Sequence, residues 1–184
     1  MTHALPHTID NGHGERLTFL EVVQAPEGET LLVENELQPG CGPIMHVHHA
    51  QEEALTVREG RLGYQFEGGE EAVAGPGETV VFPQGRPHRF WADGDEVLRC
   101  DGYLRPPDNV VWFLSEVYRS AAESDDGRPD DFDSAYLLGR YRREYDMPAI
   151  PLPVRRLVFP VLRVVGRLTG RFSRFDGAPE PIAR

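Results

Sequence analysis

Residues 40–60 read GCGPIMHVHHAQEEALTVREG, and residues 77–88 read GETVVFPQGRPH. The first stretch places His46 and His48 two positions apart, and the second ends on His88. Alternate residues of a β-strand project from the same face, so His46 and His48 can reach one ion. Imidazole and carboxylate together suit Fe, Mn, Ni, Cu or Zn. The pattern therefore predicts one divalent transition metal, of open identity, within a β-structure.

Two neighbouring glutamates compete for a place beside these histidines. A strand that turns Leu55 and Val57 inward also turns Glu53 inward. A carboxylate is costly to bury unless it is paired or binds a metal, which favours Glu53 as the fourth ligand. Glu52 remains a rival ligand on the opposite phase of the strand. By the same alternation, His49 is expected on the surface.

Short strands are predicted throughout residues 16–105. Glycine and proline separate the apolar runs, and no long helical pattern interrupts them. The predicted strands include Leu17–Val23, Thr30–Leu37, Thr79–Phe82, His88–Ala92 and Val97–Cys100. Such a series is typical of a β-sandwich or β-barrel.

The intervals within the two quoted stretches resemble the paired sequence motifs of the cupin superfamily. The matching positions are Gly40, His46, His48, Glu53 and Gly60, followed by Gly77, Pro83, Gly85 and His88. The 16 residues between Gly60 and Gly77 resemble the spacing of the small single-barrel members. Ala92 stands where the second motif often has asparagine, which is a departure from the pattern.

The resemblance implies a mainly β fold, an antiparallel jelly-roll (cupin) β-barrel over residues 16–105. It also implies a metal in the mouth of that barrel. Carried over by position, the implied ligands are His46, His48, Glu53 and His88. The resemblance does not extend to residues 106–184.

The segments on either side of the predicted barrel have a different character. Residues 1–15 are polar and predict a flexible N-terminal arm. Residues 106–184 predict a helical C-terminal extension. Its first helix is expected from Asn109 to about Glu123 after an Asp108 cap, and its second from Pro129 to about Tyr145.

A third amphipathic segment follows, which Pro160 and Gly166 are expected to kink or divide. The apolar residues predicted to share its face are Val154, Val158, Val161, Val165, Leu168, Phe172 and Phe175. This face is expected to pack on the barrel or on a second subunit, which would make a homodimer. An anionic membrane surface is the alternative for such a basic helix.

The net charge, the cysteines and the distribution of apolar residues limit the binding partners and the cellular compartment that we expect. The net charge of −11 over 184 residues argues against a nucleic-acid partner. Cys41 and Cys100 form no disulfide framework, which suits a reducing cytoplasm. The N-terminus has no apolar core typical of a secretion signal. Arginines interrupt the most apolar window, residues 152–168, so no membrane span is expected.

The favoured function is a metal-dependent oxidoreductase, similar to a dioxygenase, that acts on a small organic molecule in the barrel. Glu53 would be a ligand that also acts as a catalytic base. One alternative is a non-catalytic cupin that senses a small ligand. Another is a redox-neutral isomerase or lyase, which needs an acid or base beyond the ligands. Tyr64 and Tyr103 are the candidates for that role.

Overall fold

The computed structural model describes residues 3–183. Its strands are β1 (His7–Asp10), β2 (Glu15–Ala25), β3 (Gly28–Leu37), β4 (Val47–His48), β5 (Glu52–Glu59), β6 (Leu62–Phe66), β7 (Glu71–Ala74), β8 (Thr79–Phe82), β9 (His88–Ala92), β10 (Leu98–Arg105) and β11 (Tyr145–Asp146). The helices are α1 (Val110–Ala122), α2 (Asp131–Arg140) and α3 (Phe159–Leu168). A π-helical turn, Val154–Val158, leads into α3, and a 3₁₀ turn, Arg171–Phe175, follows it.

The strands pair in antiparallel sheets. The larger sheet has the order β1-β2-β3-β10-β5-β8, and a second sheet has the order β7-β6-β9. The short strands β4 and β11 pair with each other. These sheets confirm a mainly β, antiparallel fold with helices after it. Strands β8 and β9 have the predicted bounds, whereas β10 continues five residues beyond the predicted Cys100.

In strand β5 the buried side chains follow the alternation expected from the sequence. Glu53, Leu55 and Val57 are all buried, as expected for alternate positions facing inward. Gly60 then turns the chain with φ of +78°. A Cβ at this position would lie 2.6 Å from the carbonyl oxygen of Val97. Glycine therefore allows both the backbone angle and the close approach of the neighbouring chain.

Two groups of buried side chains form the core. The first lies between the two sheets and includes Leu37, Leu55, Leu62, Phe82 and Leu98. The second joins the outer part of the larger sheet to the helices, and it includes Phe19, Val33, Phe113, Tyr141, Tyr145 and Phe159. The helical extension therefore shares a core with the sheet.

The structure corrects the expectation of a flexible arm over residues 1–15. His7–Asp10 pairs with β2 as an edge strand, and Ile9 is buried in the core shared with the helices. His7 Nε2 also lies 3.0 Å from Ser115 Oγ on α1. Backbone pairing and burial of an apolar side chain fix this segment. Residues 1 and 2 lie outside the described residues.

The first two helices are shorter than expected. Asn109, rather than Asp108, is the N-cap residue of α1. Asp130 caps α2 by accepting hydrogen bonds from the amides of Phe132 and Asp133. The helix ends at Arg140, and Tyr145 belongs instead to β11. There Tyr145 stacks on Phe113 with ring centroids 3.9 Å apart.

The third segment buries only part of the predicted stripe: Phe175 lies in the core, and Val154 and Phe172 pack against it. Phe159 and Gly166 face the core, where a Cβ on Gly166 would collide with the Phe172 ring. Val161 is 60% exposed and Leu168 is 82% exposed, so the expectation that this part of the stripe packs on the barrel is wrong. Within the described residues, no helix is long and apolar enough to cross a membrane.

Candidate metal centre

Four side chains from separate parts of the chain converge on one point. His46 lies just before β4, His48 lies in β4, Glu53 in β5 and His88 in β9. One potential ligand atom from each lies within 4.8 Å of the others. Glu53 Oε2 is 3.9 Å from His46 Nε2, 3.7 Å from His48 Nε2 and 3.2 Å from His88 Nε2. The structure thus brings together the four residues predicted as ligands.

Backbone hydrogen bonds hold the two quoted stretches side by side. The amide of His46 donates to the carbonyl of His88 at 2.9 Å, and the amide of His88 donates back at 2.8 Å. The amide of Gly85 donates to the carbonyl of His48 at 2.8 Å. These bonds place the three imidazoles on one wall without help from the side chains themselves.

The outer nitrogens of two rings have hydrogen-bond partners that orient them. His46 Nδ1 lies 2.8 Å from the carbonyl oxygen of Ile44, and His88 Nδ1 lies 2.9 Å from that of Arg86. A carbonyl accepts only, so each Nδ1 carries the proton, and a neutral ring then has its lone pair on Nε2. Metal-binding histidines commonly have such partners. The arrangement therefore fits a metal ion beside Glu53.

Two aromatic rings pack against the histidines of this cluster. Phe82 stacks on His88 with ring centroids 4.3 Å apart and planes 13° from parallel. Tyr145 meets His48 edge-on at 5.5 Å. Because Tyr145 comes from the helical extension, that extension contributes directly to the walls of the site. Sequence analysis missed this contact because β4–β11 pairing has no local signature.

The charges of the site favour an ionised carboxylate. Burial alone would raise the pKa of Glu53, but its interactions with the surrounding histidines outweigh burial and lower that pKa overall. Burial lowers the pKa of His48 to about 3, against the opposing effect of the Glu53 charge. His48 is therefore neutral at neutral pH, the form that binds a metal.

The other candidate ligands and the candidate acid or base residues lie outside the metal-ligand cluster. Glu52 accepts a hydrogen bond from the Tyr103 hydroxyl at 2.8 Å and pairs with the Arg105 guanidinium. His49 is exposed. Tyr64 packs among Phe66 and Phe82 in the core between the sheets. Neither Tyr64 nor Tyr103 belongs to the wall of the cavity beside the cluster.

A cavity of about 350 Å³ adjoins the cluster. His46, His48 and Glu53 form one part of its wall, and α1 covers it from the side of the helical extension. Its apolar wall includes Leu17, Val33, Phe90, Leu104, Phe113 and Val117. This volume lies at the small end of the range for ligand pockets, roughly 300–1,000 Å³. The site can therefore admit a small, mainly apolar molecule.

Polar residues missed by sequence analysis also face this cavity. Glu15 lies on the inward face of β2 with Leu17 and Phe19, and the Tyr118 side chain of α1 interacts with it. Burial raises the pKa of Glu15, partly opposed by the Tyr118 hydroxyl and the nearby His46. The signal for Glu15 was available in principle, since it shares the strand phase of Leu17 at two residues' distance.

Comparison with known families now identifies the central part of the chain. A family model described as the cupin domain matches residues 33–103. These residues form a cupin domain. The resemblance inferred from the two motifs is confirmed, and the matched residues include the whole cluster. Glu15, Tyr118 and Tyr145 lie outside the match, so the cavity combines residues of the cupin domain with residues from outside the matched range.

A curated relative is similar over part of the chain. It is the protein named oxidoreductase iacF from Pestalotiopsis fici, and it is 33% identical over 84 residues. The alignment covers 42% of this chain and 41% of the relative. The chain therefore spans less than half the length of the relative that it matches.

Several solved structures are similar to this chain at lower sequence identity. KdgF from Halomonas sp. is 20% identical with a TM-score of 0.46, covering 56% of this chain and 92% of its own. A sugar phosphate isomerase of the cupin superfamily from Silicibacter pomeroyi is 22% identical with a TM-score of 0.43, covering 51% and 60%. The DMSP lyase DddQ from Ruegeria pomeroyi is 19% identical with a TM-score of 0.41, covering 52% and 48%.

Proposed function

We propose that this chain is a metal-dependent oxidoreductase, similar to a dioxygenase, that acts on a small organic molecule. The observation that carries the proposal is the placement of the cluster on the wall of a mainly apolar cavity. His46, His48, Glu53 and His88 would hold one divalent transition metal, of the series Fe, Mn, Ni, Cu or Zn. A substrate in the cavity would then lie directly beside the metal.

The metal, when bound, supplies Lewis-acid and, for a redox-active ion, electron-transfer chemistry. The residues of this chain supply the remainder. The apolar wall excludes water and leaves a substrate few polar partners apart from the cluster. Glu53 would also act as the base that takes a proton from a substrate beside it.

The curated relative supports this choice by its name, oxidoreductase iacF, within the limits of its partial match. We also propose that the two sheets close as an antiparallel jelly-roll barrel with the site in its mouth. The first core, which lies between the sheets, supports this closure. The free cysteines Cys41 and Cys100 support a place in the cytoplasm.

Oxygen uptake tests the oxidoreductase proposal. The full chain loaded separately with Fe(II), Mn(II), Ni(II) or Cu(II) is expected to consume oxygen with at least one phenol, diketone or thiol. Product formation should match oxygen use in stoichiometry. The Zn(II)-loaded protein is the control, because Zn(II) has no redox chemistry. Absence of uptake with every loaded metal and substrate class contradicts the proposal.

A redox-neutral isomerase or lyase is the second candidate, and Glu15 is the observation that favours it. Such an enzyme needs an acid or base beyond the metal ligands, and Glu15 lines the cavity. The two candidates differ in their need for oxygen. Turnover that continues unchanged under anaerobic conditions supports the redox-neutral enzyme and excludes the dioxygenase-like oxidoreductase.

We further propose that the chain forms a homodimer through the exposed apolar face of α3 and the turn before it. The residues of this face are Leu157, Val158, Val161, Val164, Val165 and Leu168, each at least 40% exposed. Contiguous exposed apolar surface commonly marks an interface. Arg156, Arg163 and Arg167 flank the face, and a second copy with its net charge of −11 supplies acidic surface for them.

Replacement of Val161 by aspartate is expected to convert the dimer to a monomer. The change places a charge in the middle of the apolar face, where pairing would bury it without a partner. Sedimentation velocity on the purified protein measures the mass. Val73→Asp is the matched control, because Val73 is an exposed valine on β7, outside this face. A monomeric unaltered chain, or a dimer that persists in Val161→Asp, contradicts the interface.

A further inference from the structure

We infer that Glu15, Asn35 and Tyr118 form a hydroxyl-recognition site in the cavity, so that the ligand is a small, mainly apolar alcohol or phenol. The inference rests on the proposed function, since it describes the substrate class of the same cavity. All three residues line the cavity beside the metal cluster. We call this group the polar anchor.

Asn35 is the clearest sign of a missing partner. It lies on β3 among the inward-facing residues Leu31, Val33 and Leu37, and it is 6% exposed. Among the residues that the structure describes, none donates a hydrogen bond to its Oδ1. Buried amide oxygens nearly always accept a hydrogen bond, and leaving one unmade is costly. A ligand in the cavity can supply the donor.

The position of Glu15 makes it a second hydrogen-bond partner for the ligand group that would donate to Asn35. In the ladder between β2 and β3, Glu15 lies opposite Leu37, and Leu17 lies opposite Asn35. Glu15 and Asn35 are therefore diagonal neighbours on one face of the sheet. Long side chains at such positions are close enough to contact each other or one ligand group. One polar group on a ligand can lie between the amide and the carboxyl.

Tyr118 completes the anchor from the helical side. Its side chain interacts with the Glu15 carboxyl, and it reaches the cavity from α1. The hydroxyl of tyrosine both donates and accepts. With an amide, a carboxyl and a hydroxyl lining the same cavity, the anchor suits a ligand group that also both donates and accepts. An alcohol or phenol hydroxyl has this property, whereas an ether or a hydrocarbon does not.

The rest of the cavity determines the body of the ligand. Its nearest walls are apolar, including Leu17 and Val33 on the strands and Phe113 and Val117 on α1. A charged or highly hydroxylated molecule would lose its hydration without enough replacement partners. Other polar side chains also line the cavity, among them Arg128, but the mainly apolar wall beside the polar anchor favours a largely apolar molecule that carries a hydroxyl.

Binding of 2-naphthol and naphthalene to the full chain tests this inference. The two probes differ only in the hydroxyl, and their intrinsic fluorescence reports binding. Asn35→Leu, which is nearly isosteric, is expected to weaken 2-naphthol about five- to tenfold and to change naphthalene affinity less than about twofold. Gln24→Leu is the control, since it removes an exposed amide of β2 outside the cavity. The titrations are made with a chelator and again with Zn(II).

Tyr118→Phe provides a second variant if Asn35→Leu does not fold. It removes only a hydroxyl and should weaken 2-naphthol several-fold while leaving naphthalene unchanged. The polar anchor is overturned if a variant loses affinity equally for both probes, or if the unaltered chain does not bind 2-naphthol. The binding experiment does not depend on turnover. A loss of affinity for 2-naphthol alone, measured with the chelator present, therefore supports the anchor even if no oxygen is consumed. Oxygen consumption without selective loss supports the function and rejects the anchor.

Discussion

Replacement of His48 by alanine is expected to lower the affinity for a divalent transition metal by more than about 100-fold. Changes to the partners that merely orient metal ligands already cost roughly 10- to 100-fold, so removal of a ligand should cost more. His48 is buried, and its Nε2 lies 3.7 Å from the Glu53 carboxylate. Alanine would leave that carboxylate with fewer neighbours in a confined space.

Elemental analysis of the purified variants, with competition against a chromogenic chelator, measures this effect. His49→Ala is the matched control, because His49 is the next residue and is exposed. It should keep the metal content and affinity of the unaltered chain. A second matched pair is Glu53→Gln against Glu52→Gln, since Glu52 pairs with Arg105 outside the cluster. Full metal occupancy in His48→Ala would refute the site.

The cluster was predictable because its signals are local in the sequence. His46 and His48 share one short segment, and strand phase relates Glu53 to Leu55 without knowledge of the rest of the chain. The cupin motifs supplied the remaining link to His88, which strand phase alone does not give. In the structure that link is the pair of backbone hydrogen bonds between His46 and His88.

The polar anchor was not predictable in the same way. Glu15 and Asn35 could be read as inward-facing, because each occupies an apolar strand phase. Their partnership with Tyr118 depends on how α1 lies across the sheet, and no spacing in the sequence encodes that packing. Tyr145 reaches His48 for a similar reason.

The buried face of α3 was ambiguous for a different physical reason. Apolar residues cover more than one side of this helix, so periodicity offers two faces that could pack. The structure buries Phe159 and places the ring of Phe172 against Gly166. Glycine permits that close approach, because a Cβ at this position would collide with the ring.

The joint core of the cupin domain and the helical extension leads to a prediction about stability. Phe113 of α1 is 2% exposed and stacks on Tyr145 with centroids 3.9 Å apart. It also meets the Tyr141 ring edge-on at 5.8 Å. Replacement by alanine removes the ring that joins these residues and leaves a cavity. The expected loss in free energy of unfolding is about 3–5 kcal/mol.

Denaturant unfolding followed by tryptophan fluorescence and by circular dichroism measures this loss. Because Phe113 belongs to a core that includes Phe19 and Val33 of the sheet, both signals should shift together in Phe113→Ala. Leu168→Ala is the control, since Leu168 is largely exposed, and the change should cost under about 0.5 kcal/mol at concentrations where the chain is monomeric. Two separated transitions, with the sheet unaffected by Phe113→Ala, would show that the extension folds apart from the cupin domain. In that case α1 could not be a fixed wall of the cavity, and the polar anchor would lose Tyr118.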